Sequence, residues 1–353
     1  MPMKFTAPLC LSFSIFFAAA QAEALTIGVV APKDGPYGLL GQQIRAGAEA
    51  SAQQKGVSLT FVDESCEAGS GVSIAEKLSA AKVDAAIGFL CSETLETAAP
   101  PLGAQTIPML TLSVRWATIM EDALKKGWPL FRMAPSGKAE SEKLVDVILT
   151  RWTGSAFALI DDGTIRGREL VDAIRAPLEE RGMKPVFTDT YRPGQENQIA
   201  LVRRLQKTGA THVFIGGDRS DVAIIARDAA AENIPLSLLG GDSLKAVDRP
   251  VPLADGVEAV TIPDYAKDEA ALPAAQAVRQ LGTEPDGYAL PAFAAIEFLA
   301  AVGADSRPLA QSITNVSIDT VIGKIGFTPA HELSENPYRL LQWRNGAFQA
   351  ASP

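Results

Sequence analysis

Apolar residues in this chain come in short runs that end in small or polar residues and then give way to longer segments with helical spacing. Residues 25–32 (LTIGVVAP) form a β-branched run closed by Pro and by the turn-rich Lys33-Asp34-Gly35-Pro36, after which residues 39–54 take a helical pattern rich in Ala and Gln. Residues 57–63 alternate as a strand, and a polar, Gly-containing loop with Cys66 leads into a helix over 72–81. Residues 83–89 read as a short buried strand, and residues 107–112 as the next, running into Ser113-Val114-Arg115-Trp116. Four strands alternating with helices predict an α/β fold built on a parallel, doubly wound sheet.

A second array begins near Pro135. Helices are predicted over 141–152, 166–181, 195–207 and 221–233, and strands over 155–160, 185–190, 212–215 and 236–239. Several of these strands end in small or polar residues, Asp161-Asp162-Gly163, Gly216-Gly217-Asp218-Arg219 and Gly240-Gly241-Asp242-Ser243. In open α/β sheets the ligand crevice lies beyond the carboxyl ends of the strands, so these endings are where a site is sought. The remainder is less regular, with helices over 268–281 and 288–302 and strands over 321–327 and 338–343. Helices followed by strands after two complete arrays imply that the chain returns to the first lobe and then to the second.

The stretch VDAAIGFLCSETLET, residues 83–97, is the clearest of the strand ends. Ser92 stands where a helix N-cap is expected, with Glu93 in the first turn and Leu95 behind it. Backbone N–H groups at a helix start lack partners within the helix and carry the positive end of its dipole, so a small anion or carboxylate fits there. The competing reading is a Ser that only caps its own helix.

Composition narrows the class. The 353 residues are 47% hydrophobic and 21% charged, which suits a globular protein of two domains. A net charge of −9 with no basic run argues against nucleic acid and anionic membrane surfaces as partners. Lys4, the apolar run 5–20 and the small-x-small sequence Ala20-Gln21-Ala22 predict an export signal over residues 1–24. No later segment offers about 18 uncharged apolar residues, so no membrane insertion is expected of the mature chain. Cys10 lies inside the signal's apolar run, a poor match to a lipid-attachment site. The signal removed, Cys66 and Cys91 remain, and an even pair in an oxidising compartment is most simply a disulfide. A metal site or a catalytic thiol finds no support, because His212 and His331 are not in ligand-like spacing with the cysteines.

Enzyme signatures are thin. The sequence has no G-x-S-x-G elbow, no phosphate-binding G-x-x-x-x-G-K-[ST], no G-x-G-x-x-G after the first strand and no H-E-x-x-H. His212 opens a core strand and reads as structural, and His331 in AHELSEN reads as solvated surface. Asp161-Asp162 reads as a capping or solvent-facing pair rather than an acid/base dyad.

The segments 25–36 and 38–47, Asp63-Glu64-Ser65-Cys66, Ile87-Gly88-Phe89-Leu90-Cys91-Ser92 and Ile318-Asp319-Thr320-Val321-Ile322-Gly323 resemble the type I periplasmic binding proteins, above all the leucine/isoleucine/valine-binding branch that feeds ABC importers. The resemblance spans nearly all of the chain after the signal. It implies two Rossmann-like lobes, residues 25–133 plus 262–327 and residues 134–261 plus 328–353, joined by three crossovers and closing on a ligand by a hinge. It also implies a Cys66–Cys91 disulfide and places Ser92 at the ligand. Position by position, Ser92 and the backbone near Ser113 become partners of an amino acid's carboxylate and ammonium, and Asp242 its acidic partner. Arg115 stands where a small hydroxyl residue is usual, Arg166 and Asp218 where aromatics are, and Leu40 where Tyr is common, with Tyr37 close enough to substitute.

A branched aliphatic ligand gains by burial against apolar surface, whereas Arg115, Arg166 and Asp218 would lose hydration without gaining partners. A polar guest whose second acceptor meets an Arg fork suits them better. The alternative is that Arg115 and Arg166 pair with Asp218 or Asp162 at the cleft rim. The resulting expectation is a monomeric, periplasmic solute-binding component of an ABC importer, taking a small amino-acid-like or carboxylate ligand to a permease, without cofactor or metal. A sensor of the same fold acting on a receptor, or a secreted enzyme, are the other readings.

Overall fold

A computed structural model describes residues 25–246, 251–304 and 308–351. The export signal expected over residues 1–24 lies outside the described residues. In the first lobe, strands β1 (Thr26–Ala31), β2 (Ser58–Asp63), β3 (Ala85–Gly88), β4 (Met109–Thr111) and β5 (Leu130–Arg132) form a parallel sheet in the order β2-β1-β3-β4-β5. Parallel strands need crossovers, and helices α1 (Gly38–Lys55), α2 (Gly71–Ala80), α3 (Ser92–Ala104) and α4 (Ala117–Lys126) supply them. Helices on both faces bury β1 and β3 almost completely, which is why these strands read as unbroken apolar runs.

The second lobe repeats the scheme with α5 (Ala139–Arg151), β6 (Phe157–Asp161), α6 (Ile165–Glu180), β7 (Phe187–Thr190), α7 (Ile199–Lys207), β8 (His212–Gly216), α8 (Arg219–Ala231), β9 (Ser237–Gly240) and β10 (Glu258–Thr261). Helix α7 shows the logic locally: Leu201, Val202 and Leu205 form its buried stripe, and the arginines between them face solvent.

The chain then returns. Helix α9 (Leu272–Gln280) and helix α10 (Ala289–Gly303) belong to the first lobe, where α10 packs on α1 and puts Ile296, Phe298 and Leu299 into the same core as Ile27 and Ile87. Helix α10 is apolar apart from Glu297, and such a helix must be covered over most of its surface; within it only Ala301 and Gly303, near its end, are exposed. Strands β11 (Ser317–Thr320) and β12 (Gly323–Gly326) pair as a hairpin, and Ile325 joins that core. The single strand expected over 321–327 is thus corrected: its first residues, Val321 and Ile322, form the hairpin turn, and Gly323 leaves it with a φ of +101° that favours glycine. A last passage leads to β13 (Arg339–Arg344) and β14 (Ala347–Ala350), which extend the second sheet antiparallel to give the order β14-β13-β10-β9-β8-β6-β7.

Two further expectations are corrected. The first sheet has five strands, because the three-residue β5 lies outside any periodic run. His331 is not a solvated loop residue: its Nδ1 lies 2.9 Å from the Leu130 carbonyl and its ring packs on Phe131, centroids 4.3 Å apart. His212 opens β8 with its ring 5.3 Å from that of Trp152.

Candidate functional site

The loop joining β3 to α3 is held from below. Glu64, at the end of β2, is 2% exposed and accepts the N–H groups of Leu90 at 2.9 Å and Cys91 at 3.1 Å. A disulfide ties Cys66 to Cys91, Cα atoms 5.4 Å apart. Phe89, fully buried between these restraints, adopts φ +56°, a left-handed conformation that a bulky residue takes only when its surroundings impose it. Burial raises the Glu64 carboxyl to about 7, partly offset by the two N–H donors. Cys91, extended and doubly restrained, occupies the cap position, and its carbonyl accepts the Leu95 N–H at 3.1 Å. Ser92 is therefore the first residue of α3 rather than its cap. It is half-buried, with the partnerless amides of the helix start beside it.

Two cavities lie at the carboxyl ends of the strands. The larger, about 430 Å3, stands between the lobes where the chain crosses from one to the other. Ser113 and Arg115 face it from the first lobe and Asp242 from the second, with Leu112, Met133 and Ile262 among its apolar walls. Ser113 accepts a hydrogen bond of 3.0 Å from the Tyr288 hydroxyl, and Gln43 braces that region by donating to Asp286 at 2.8 Å and accepting from the Tyr288 N–H at 3.2 Å. Arg115 reaches the Tyr338 hydroxyl only at 3.5 Å, the long limit for such a bond, so most of its donors stay available. Asp242 accepts from Thr261 and, at 3.3 Å, from the Ile262 N–H through the same oxygen, Oδ1.

The smaller cavity, about 260 Å3, opens on the second lobe and is lined by Arg166 and Asp218. Glu140, 8% exposed, links a residue of each cavity: its Oε1 accepts the Asp242 N–H at 2.8 Å while Oε2 meets Arg166 at 3.1 Å. Burial raises the Glu140 carboxyl, and Arg166 counters that shift. The structure thus brings Ser113, Arg115 and Asp242 together and sets Arg166 and Asp218 apart from them. Ser92 and Tyr37 line neither cavity, and Tyr37 is 46% exposed in a short turn before α1. Neither arginine pairs with Asp162 or Asp218; Asp162 instead accepts from Thr164, at 3.0 Å from its N–H and 2.6 Å from its hydroxyl.

Sequence reasoning missed Glu140 and Tyr288. Glu140 did carry a signal: it lies four residues before Leu144 and eight before Ile148 on the buried stripe of α5, whereas Glu142 faces solvent. Tyr288 carries none, because its role depends on a residue 175 positions away. Glu64, Cys66 and Cys91 bring potential metal-ligand atoms within 4.8 Å of one another, but both sulfurs are spent in the disulfide. No helix among the described residues is long and apolar enough to cross a membrane.

A family model described as periplasmic binding protein matches residues 24–347. The chain is 26% identical to the Leu/Ile/Val-binding protein homolog 3 of Brucella melitensis, over 98% of each chain. Among solved structures it is similar to a protein assigned to a branched-chain amino acid ABC transporter from Rhodospirillum rubrum, with a TM-score of 0.80 and 18% identity over 93% of this chain and all of that one. A solute-binding protein of an ABC transporter from Rhodopseudomonas palustris, in complex with p-hydroxybenzoic acid, follows at a TM-score of 0.59 and 16% identity, covering 92% of this chain and 95% of that one.

Proposed function

The chain belongs to the periplasmic binding protein family, and from that premise we propose that it is the solute-binding component of an ABC importer, capturing a small amino-acid-like or carboxylate solute between its lobes and delivering it to a permease. The observation that carries this reading is the 430 Å3 cavity at the crossovers, where Ser113 and Arg115 of one lobe face Asp242 of the other. Hydroxyl and guanidinium donors suit a carboxylate, and the Asp242 oxygen not taken by Thr261 and Ile262 suits an ammonium. The lobes are proposed to divide at 25–133 plus 262–327 and 134–261 plus 328–353, so that three passages of chain serve as the hinge. No step of bond making or breaking is needed. The relatives' names and ligands, Leu/Ile/Val and p-hydroxybenzoic acid, both carry a carboxylate and support that half of the assignment.

A solute more polar than leucine is proposed because charged groups face both cavities. The test is mass spectrometry of solute co-purified with the exported protein, followed by a thermal-shift screen of amino acids and small carboxylates. Ligand that binds only the folded state raises its stability by RT ln(1 + [L]/Kd), so a concentration-dependent rise with an unaltered carboxylate is expected. Turnover of the bound compound, or no shift with any carboxylate, overturns the reading.

A further inference from the structure

The smaller cavity has a charge balance that the larger one does not explain. It lies at the carboxyl ends of β6, β8 and β9, with Asp162, Thr164, Arg166, Gly217, Asp218 and Ser243 in its walls. Its cation is already committed, since Arg166 pairs with Glu140 at 3.1 Å and the two charges offset each other. Asp218 precedes α8 at the cap position, where its carbonyl accepts the Val222 N–H at 3.1 Å, yet its side chain makes no cap bond, and that side chain has no hydrogen bond or ion pair among the described residues; the residue is exposed. Asp162, 6% exposed, spends one oxygen on Thr164.

A second, independent observation comes from behind the wall. Tyr191 is 3% exposed and its hydroxyl has no partner among the described residues, an expensive condition for a buried polar group. The hydroxyl ends beneath Gly217, where an added Cβ would lie 1.9 Å from it, so glycine at this wall is what lets the phenol approach the cavity. Asp161, Asp162, Asp218 and Asp221 all act electrostatically on that hydroxyl. Asp161 has Arg168 at 3.9 Å and Asp221 accepts the Gly194 N–H at 2.9 Å, which leaves the carboxylates in excess over cations.

Resting on the function proposed above, we propose that the smaller cavity is a subsite for a second, cationic group of the solute, an ammonium or guanidinium, with Asp218 as its ion-pair partner and Asp162 as a further acceptor. Gly241 and Ser243 of its wall flank Asp242, whose side chain lines the larger cavity, so the group the smaller one takes is not the α-ammonium but one carried at the far end of a side chain. The solute class is then a carboxylate bearing a remote cation, that is, a basic amino acid. An opposed set of donors, Ser113 and Arg115, awaits the carboxylate across the cleft, and a guest with separated charges satisfies both ends.

Titration calorimetry on the full mature chain with L-arginine, L-ornithine, L-citrulline, leucine and benzoate tests this. Citrulline keeps the shape of arginine without its charge. Arginine or ornithine is expected to bind at least tenfold more tightly than citrulline, and Asp218→Asn to reduce that gap below threefold with its thermal midpoint unchanged. Asp218 is exposed, so the variant is expected to fold, and circular dichroism verifies it. Citrulline binding as tightly as the cations, or a gap that survives Asp218→Asn, overturns the subsite. Leucine or benzoate binding with both cations inert overturns it too while leaving the proposed function standing; binding by none of the five overturns the subsite, and the broader carboxylate screen then decides the function separately.

Discussion

Glu64 combines nearly full burial with a structural task, supporting Leu90 and Cys91 from below. Its carboxyl titrates near 7 in the folded chain against an ordinary 4.5, so the folded state holds a proton that the unfolded state has lost throughout that interval. Stability from this group is therefore complete below pH 4.5 and declines as pH rises through 7, by about 3 kcal/mol in all at 1.36 kcal/mol per unit. Urea denaturation of the parent and of Glu64→Gln at pH 5, 6, 7 and 8 measures it. The parent is expected to lose more stability than the variant across that range, because Gln keeps an acceptor for the loop amides but cannot titrate. Equal slopes would show that other groups carry the dependence. Asp63-Glu64-Ser65-Cys66 entered the sequence reading only as part of a resemblance, since no local pattern distinguishes a buried acid at a strand end from a solvated one.

Among the elements, the strand-loop-helix unit β3–α3 joins several restraints in a few residues. The disulfide closes a separation of 25 residues, and on the chain-entropy account such a link stabilises by roughly 3 kcal/mol. Cys66→Ser with Cys91→Ser is expected to lower the denaturation free energy by about that amount and to leave the ranking of ligands unchanged. A changed ranking would mean that the link shapes the pocket rather than the fold. This unit was legible because strand, cysteine and helix start follow one another directly. Its detail was not: the cap falls on Cys91 because Glu64 and Cys66, brought from the end of β2 on the far side of β1, hold that residue extended. Strand β5 escaped notice for a related reason. Three residues carry too little periodicity to stand out, and their strand character comes from pairing with β4.

For the molecule as a whole, the passages between lobes are locked to one another as well as to the sheets. Arg132, 3% exposed at the end of β5, donates through Nε to Glu332 at 2.8 Å and through a second nitrogen to its other oxygen, while a third reaches the Trp116 carbonyl at 3.3 Å. The fork joins the first passage of chain to the third, beside the packed ring of His331. Glu332→Ala strands a buried guanidinium and is expected to cost about 3 kcal/mol, read as a fall in the urea midpoint. A loss below about 0.5 kcal/mol would place the pair with ordinary surface bridges.

The order of elements, the two arrays and the strand ends at which to seek a site were already present in the chain, because helix and strand periods are local and one buried face repeats within each segment. The grouping of the site residues was not. Glu140 and Asp242 are 102 residues apart, and only folding makes the contact by which Glu140 links Asp242, in the cavity of Ser113 and Arg115, to Arg166, in the cavity of Asp218. Side-chain partnership across such distances leaves no periodic trace, since it depends on how two independently formed sheets are set against each other.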